Sequence, residues 1–590
     1  MAEVSSVAAL RVADEAFLVA STIERCPKTM MLRELVVNAI EAARNAVGER
    51  LVELTTRHVG GVPKLCIFNT GPGLSAQELY RICDLASSLG KTTSLDGNFG
   101  MGAKVASLPS NKHGLRYRSC RDGVVSEVIL GQRDGVYGRL RRVTDDGAVT
   151  EVLDATKLCS AEGGYDLTRD WTEVVLFGNR ADQDTAIDPY GGNPAMPAGW
   201  VVDLLMQRFF RLGVSVTVRL APSVTGRPAA QILRTVSELD GVFTRRESVR
   251  TPSGISIHYC YDASAVSAAP LTGTAAKPGA MACAVYRDEM YDVRSGARWV
   301  MDAPSFGVPF GARHVSIFVE LPDDYLVRPE AYRQYLRFRG GDQRQVFVHE
   351  YAPLVRACMP EWLTRIIRGF GPDRAEFADE MAEELRKLLA ELGVPLSQAA
   401  LPGLLPEGLR PSVAVAAPVP LQAPPPPNAG AVPPPRPPQP RYEPPPEIIG
   451  LDCDEMIAER GLIGRAAKYY EGAHQLFVNL RYPAIGALAE QLEAEHADAG
   501  HEGAAEARRA AARAVAEWAI MRRVARALVY SFSKKAAGWS ADDVRRAQSP
   551  EAMSLAADDW RLMLDVARRR MENRLAAEAP DEVTLHSKAA

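Results

Sequence analysis

The sequence predicts an α+β protein divided into separate folded units, a mixed sheet covered by helices first and a mainly helical unit last. Three observations carry that expectation. Strand-like and helix-like runs are interleaved before residue 400, the prolines bunch in one stretch, and the chain beyond that stretch is dominated by helical spacing. At 590 residues the chain exceeds what one hydrophobic core fills, since cores stop growing at roughly 250–300 residues. Eighteen of the 41 prolines lie between Pro402 and Pro446. Proline lacks the N–H and fixes φ, so this stretch reads as a semi-rigid polyproline spacer, or alternatively as a docking ligand for proline-binding grooves. The expected division is 1–185, 186–400, a linker at 401–447 and a helical unit at 448–590.

Taken in order, Met31–Ala46 has its apolar residues at helical spacing, and Lys64–Phe68 (KLCIF), a short apolar run, reads as a strand. Glu173–Phe177, Val214–Leu220, Ile255–Tyr261 and Val315–Leu321 are further strands by the same pattern, rich in β-branched and aromatic residues. Phe377–Leu392 turns helical and is expected to close the first half of the chain. Ala466–Val478 reads as a hairpin turning near Glu471 and Gly472. Helices are expected over Ala504–Tyr530 and Ala552–Ala576.

Composition excludes several classes. Apolar residues make up 47% and charged residues 24%, ordinary for a globular protein. A net charge of −4, from 69 basic and 73 acidic residues, excludes a strongly basic nucleic-acid coat but not a local basic patch. Nine scattered cysteines with no C-x-x-C pair read as reduced thiols, and hence as a cytoplasmic protein. Arg11, Asp14 and Glu15 interrupt the early apolar residues, so no signal peptide is expected. No run of about twenty uncharged apolar residues occurs, so no membrane partner is expected either.

The chemistry concentrates in the first 180 residues. In MLRELVVNAIEAARNA, Glu34 and Asn38 are four apart and share a face beside the apolar stripe, with Glu41 one turn on. A carboxylate and an amide on one rigid face suit a metal-and-water site; the same spacing also describes a solvated helix flank. KLCIFNTGPGLS runs a strand straight into Asn69-Thr-Gly71-Pro-Gly73. Glycines there let backbone approach a flat ligand, or simply make a turn. DGNFGMGAKVASLPSN then places Gly97, Gly100 and Gly102 before a helix containing Lys104, a pattern able to cradle phosphates. No Walker loop or dinucleotide fingerprint is present.

The order of these elements resembles the GHKL, or Bergerat-fold, ATPases. That superfamily includes the gyrase, heat-shock chaperone, histidine kinase and MutL ATP-binding domains, with the Microrchidia ATPases as relatives. ELVVNAIEAA is similar to the N box, NTGPG and GNFGMGAK to the two glycine boxes, and WTEVVLFGN to the late strand whose leading threonine is here Thr172. The match covers roughly Ala13–Gly178. The resemblance implies a Bergerat sandwich, ATP and Mg²⁺ as cofactors, and ATP hydrolysis. Glu34 would be the general base and Asn38 the magnesium ligand, with Glu41 in support. Gly71 and Gly73 would line the base pocket, and Gly97, Gly100, Gly102 and Lys104 would hold phosphates. Asp84–Leu95 would form a lid, with Lys91 as a phosphate contact.

One position departs from the pattern. The family has Asp at the head of the first glycine box, and this sequence has Asn69, a neutral acceptor that weakens strict adenine selectivity. Residues 190–370 match a transducer-like α+β domain, which in the family supplies a cation to the terminal phosphate. No lysine occurs between Lys277 and Lys387, so Arg337 and Arg339, with Arg344 and Gln343 nearby, are the expected substitutes. The arginines 508, 509, 513, 522, 523 and 526 on one alanine-rich helix suggest either a phosphate-tracking face or an exposed oligomer face, the acidic neighbours favouring the second. The function expected is an ATPase whose cycle closes a homodimer clamp on a macromolecule, protein or DNA. The alternative is a nucleotide-binding interaction protein with little or no hydrolysis. A histidine kinase is the less expected reading, because little sequence precedes Glu34 to form a phosphoacceptor hairpin and Glu34 itself points to water as nucleophile.

Overall fold

The computed structural model describes residues 12–85, 102–144, 147–192, 196–197, 199–212, 215–238, 243–265, 279–340, 343–373, 375–396, 442–496 and 505–578. Lys91, Gly97 and Gly100, most of the expected lid, and 401–441 of the expected linker lie outside the described residues.

The α+β expectation holds. The first unit is a mixed sheet running Gln231–Ile232, Thr217–Leu220, Leu51–Val59, Val62–Thr70, Trp171–Gly178, Gly114–Arg121, Val124–Arg133 and Val136–Arg139. All neighbours pair antiparallel except Leu51–Val59 with Thr217–Leu220, which are parallel. One face is covered by Glu15–Glu24, Met31–Ala43 and Gly102–Ser107, whose Ile23, Leu32, Leu35, Val36, Ile40 and Val105 are buried with Leu54, Ile67, Leu115, Val128 and Leu176 of the sheet. The expected boundary at residue 185 is therefore too early. The Thr217–Leu220 strand and the Trp200–Met206 helix, which fall within the expected 186–400 division, complete the first unit's sheet and core. A parallel partner 166 residues away, as Thr217 is from Leu51, leaves no local trace in the sequence.

The second unit is a five-stranded sheet in the order Arg245–Arg250, Ser256–Tyr261, Val315–Leu321, Met281–Tyr286, Glu289–Ser295. Tyr259, Tyr286, Trp299 and Phe306 fill its core, and a small hairpin, Val327–Pro329 with Leu336–Phe338, packs into that core through Val327, Leu336 and Phe338.

The third unit differs most from expectation. The Ala378–Glu391 helix does not close the first half. Its Met381, Leu385, Leu388 and Leu389 are buried among Ala466, Leu476, Val515, Ala519 and Leu528 from beyond the proline-rich stretch. Pro395 and Tyr442 form a β-bridge, and Glu443 N–H donates to the Val394 carbonyl at 3.1 Å. The proline-rich stretch thus joins two parts of one unit instead of spacing two units apart. The expected hairpin is present as Ala467–Tyr470 and Gln475–Asn479, around a turn at Glu471–Ala473. Ala505–Ala536 is the central helix of this unit, not an exposed one. The expected Ala552–Ala576 helix is two, Pro550–Asp558 and Leu564–Glu578, broken by a short 3₁₀ turn at Trp560–Met563. Buried Arg460 fastens this unit to the second, donating to the carbonyls of Val300 and Pro309, each at 2.5 Å.

Candidate functional site

Between the Met31–Ala43 helix and the first sheet lies a cavity of about 680 Å³, within the size range of small-molecule sites. The helix turns its apolar stripe to the core and its flank to the cavity, so Glu34, Asn38 and Glu41 line one wall. Asn69, Gly71, Gly73, Gly102, Lys104 and Thr172 line it as well. The described motif residues, from Glu34 to Thr172, therefore meet around one space.

Asn69 and Thr172 are direct partners on the adjacent strands Val62–Thr70 and Trp171–Gly178. The buried Asn69 amide donates to the Thr70 carbonyl at 3.0 Å, which leaves its side-chain oxygen as acceptor. Thr172 shares a hydrogen bond with Ser119 at 2.8 Å, and Ser119 accepts from the Leu74 N–H at 2.8 Å. Ser119 thus ties the glycine loop to the strand that carries Thr172. Sequence reading missed it, because an isolated serine in a strand carries no signal. Leu35, Ala39, Ile67, Tyr117 and Val174 supply apolar lining beside these polar groups.

Gly73 is sterically required, and Gly102 packs directly on a cavity side chain. A Cβ on Gly73, whose φ is +60°, would sit 2.1 Å from the Cys120 carbonyl oxygen. A Cβ on Gly102 would sit 2.0 Å from Oε2 of Glu34, so this backbone lies against the carboxylate.

Electrostatics centre on Glu34. Its Oε1 accepts from Arg33 Nη1 at 2.5 Å. Arg33 is buried, and it also donates through Nε at 3.1 Å and through Nη2 to Glu289 of the second unit. Burial disfavours the Arg33 charge, but Glu289 and Glu34 outweigh it and keep the guanidinium protonated. Glu289 is likewise pushed up by burial, yet Arg208 and Arg33 hold it down at about 2.

Lys104 departs from its expected use. Its ammonium donates to the Ile82 carbonyl at 2.6 Å and to the Asp84 carbonyl, closing the end of the Ala76–Ile82 helix. Burial pulls its pKa down to about 8. It lines the cavity as a clasp with two of its three donors already engaged. Arg337 and Arg339 do not line the cavity. Arg337 donates to the Tyr335 hydroxyl at 2.6 Å and Arg339 to the Val327 carbonyl at 2.8 Å. Arg344 pairs with Glu350, and Gln343 accepts from Arg328. The second unit instead contributes Ala331, Tyr332 and Arg333, from the turn between the hairpin strands. Arg333 adopts a left-handed φ of +57°, and this tight turn carries residues 331–333 to the cavity instead of the strand residues that follow.

The basic stripe on the long C-terminal helix is largely neutralised from within. Arg509 pairs with Glu493, Arg513 with Glu517, Arg522 and Arg526 with Glu384, and Arg523 with Asp559. All nine cysteines are free thiols, and no described helix is long and apolar enough to cross a membrane. No group of three or more His, Cys, Asp or Glu side chains able to hold a metal occurs among the described residues. A scan against protein-family models finds no match for this chain, and a search of curated proteins finds none either.

Proposed function

We propose that the cavity binds Mg-ATP and that the chain hydrolyses it, as a GHKL-type ATPase with a Bergerat sandwich as its first unit and a transducer-like second unit. The observation that carries this reading is the convergence of Glu34, Asn38, Asn69, Gly71, Gly73, Gly102 and Thr172 on one space. Asn69 and Thr172 hold the base edge, and the apolar lining takes its faces. Asn38 offers one side-chain oxygen on the same helix face as Glu34. That sparse donor set suits magnesium, which keeps waters and takes its other ligands from phosphates. Glu34 accepts the proton of the attacking water. Arg333 takes over the role expected of Arg337 and Arg339, as the second unit's cation at the terminal phosphate. The cycle drives closure of a homodimer on a macromolecular client, protein or DNA, in the cytoplasm.

A second reading, nucleotide binding with little turnover, is favoured by one observation. The Glu34 carboxylate is held by Arg33 on one oxygen and lies against Gly102 with the other. A base engaged on both sides must be released before it activates water. Competition of unlabelled ATP, ADP and GTP against a fluorescent ATP analogue, with and without Mg²⁺, tests the ligand. ATP is expected to compete, and Asn38→Ala to lose the magnesium-dependent part of the affinity. GTP competing equally assigns a relaxed base pocket to Asn69. Failure of ATP to compete contradicts the proposal.

A further inference from the structure

Behind the cavity-lining turn at residues 331–333, the second unit also presents one buried carboxylate to the cavity wall. Glu289 opens the Glu289–Ser295 strand and does not line the cavity itself. It accepts from Arg33 through both oxygens and from Arg208 Nη2, and the Tyr291 hydroxyl lies 3.5 Å away. Phe209 forms a β-bridge with Glu289, and Met290 N–H donates to the Arg208 carbonyl at 2.8 Å, so the two backbones hold the cluster in register. Each arginine then reaches onward to the cavity. Arg33 donates to Glu34 at 2.5 Å, and Arg208 donates to the main-chain carbonyl of Arg333 at 2.8 Å. One carboxylate therefore stands one side chain away from both the candidate base and the cavity-lining arginine.

We infer that Glu289 is a positioning residue for hydrolysis, which fixes Glu34 and Arg333 relative to each other across the junction of the first two units. The inference rests on the ATPase reading and deepens it. Arg33 has two carboxylates to share its donors between. With Glu289 in place, Nε and Nη2 are committed to it and only Nη1 remains on Glu34. Without that anchor Arg33 is free to turn all its donors onto Glu34, fixing the carboxylate in a bidentate pair that no longer faces water. Arg208 loses its anchor in the same event and releases the turn that carries Arg333. Neither change touches the base-binding strands, where Asn69 and Thr172 lie.

The test is steady-state hydrolysis and equilibrium binding of the fluorescent analogue, on the full chain, for wild type, Glu289→Gln and Glu289→Asp. The glutamine variant is expected to lose kcat by roughly 10- to 100-fold, the scale of displacing a positioned group, with KM and analogue affinity within about twofold of wild type. The aspartate variant keeps the charge on a shorter stem and is expected between the two. It also serves if the glutamine variant fails to fold. Wild-type kcat in either variant, or a loss confined to KM, overturns the inference and leaves the ATPase reading standing. A wild type that does not turn over ATP overturns the inference, and one that also fails to bind it overturns the ATPase reading with it.

Discussion

The joint beside the cavity is built from charge, and the joint around the proline-rich stretch is built from apolar side chains. At the first, Arg33, Arg208 and Glu289 hold two units together through a buried cluster in which each charge needs the others. At the second, Leu385, Leu388 and Leu389 pack on the helices that follow residue 442. A buried charge cluster is directional, and removing one member leaves an uncompensated charge, so it responds to small displacements. Apolar packing is non-directional and depends mainly on area. The difference places the directional contact next to the candidate chemistry and the non-directional one in the third unit.

The comparison breaks most directly at the apolar joint. Leu385→Ala is expected to cost about 2–5 kcal/mol of stability in denaturant unfolding, the range for deleting a buried leucine side chain. Proteolysis within residues 397–441 is expected to leave the two fragments co-eluting in gel filtration. Separate elution would restore the spacer reading and remove the contrast.

The charged joint should differ in its response to pH. Glu289 and Glu320 are both held down at about 2, each against the opposing push of burial. Arg208 and Arg33 do this for Glu289, and His258 and Arg211 for Glu320. Carboxylates with depressed pKa values contribute stability above their unfolded value, near 4.5. That contribution is lost as pH falls from there towards 2. Between about pH 7 and about pH 3, wild type should lose more stability than Glu289→Gln does. Equal losses would mean that the cluster carries no such linkage.

How far the sequence could be read follows the same divide between local and distant causes. Glu34 and Asn38 were legible because helical spacing alone puts them on one flank. Gly71 and Gly73 fit an ordinary turn equally well when taken alone, and were legible only through their place in the order of motifs after the Glu34 helix. The fate of Lys104 was not, since its carbonyl partners at Ile82 and Asp84 lie some 20 residues upstream and are set by where a neighbouring helix ends. Arg333 was passed over for Arg337 and Arg339 because its place depends on a turn, while composition counts every arginine alike. The 378–391 helix shows its apolar stripe plainly, but a stripe does not name its partner. The same limit hid the parallel pairing of Leu51–Val59 with Thr217–Leu220, and with it the true extent of the first unit.

The central claim is that Glu34 activates water for attack on a bound nucleotide. It is tested most directly by Mg-dependent ATP hydrolysis of wild type beside Glu34→Gln, an isosteric change that keeps the side chain's length and removes its basicity. Measurable turnover is expected in wild type, and in the variant a loss of roughly 10²- to 10⁴-fold with nucleotide affinity retained. Turnover in the variant equal to that of wild type would contradict it.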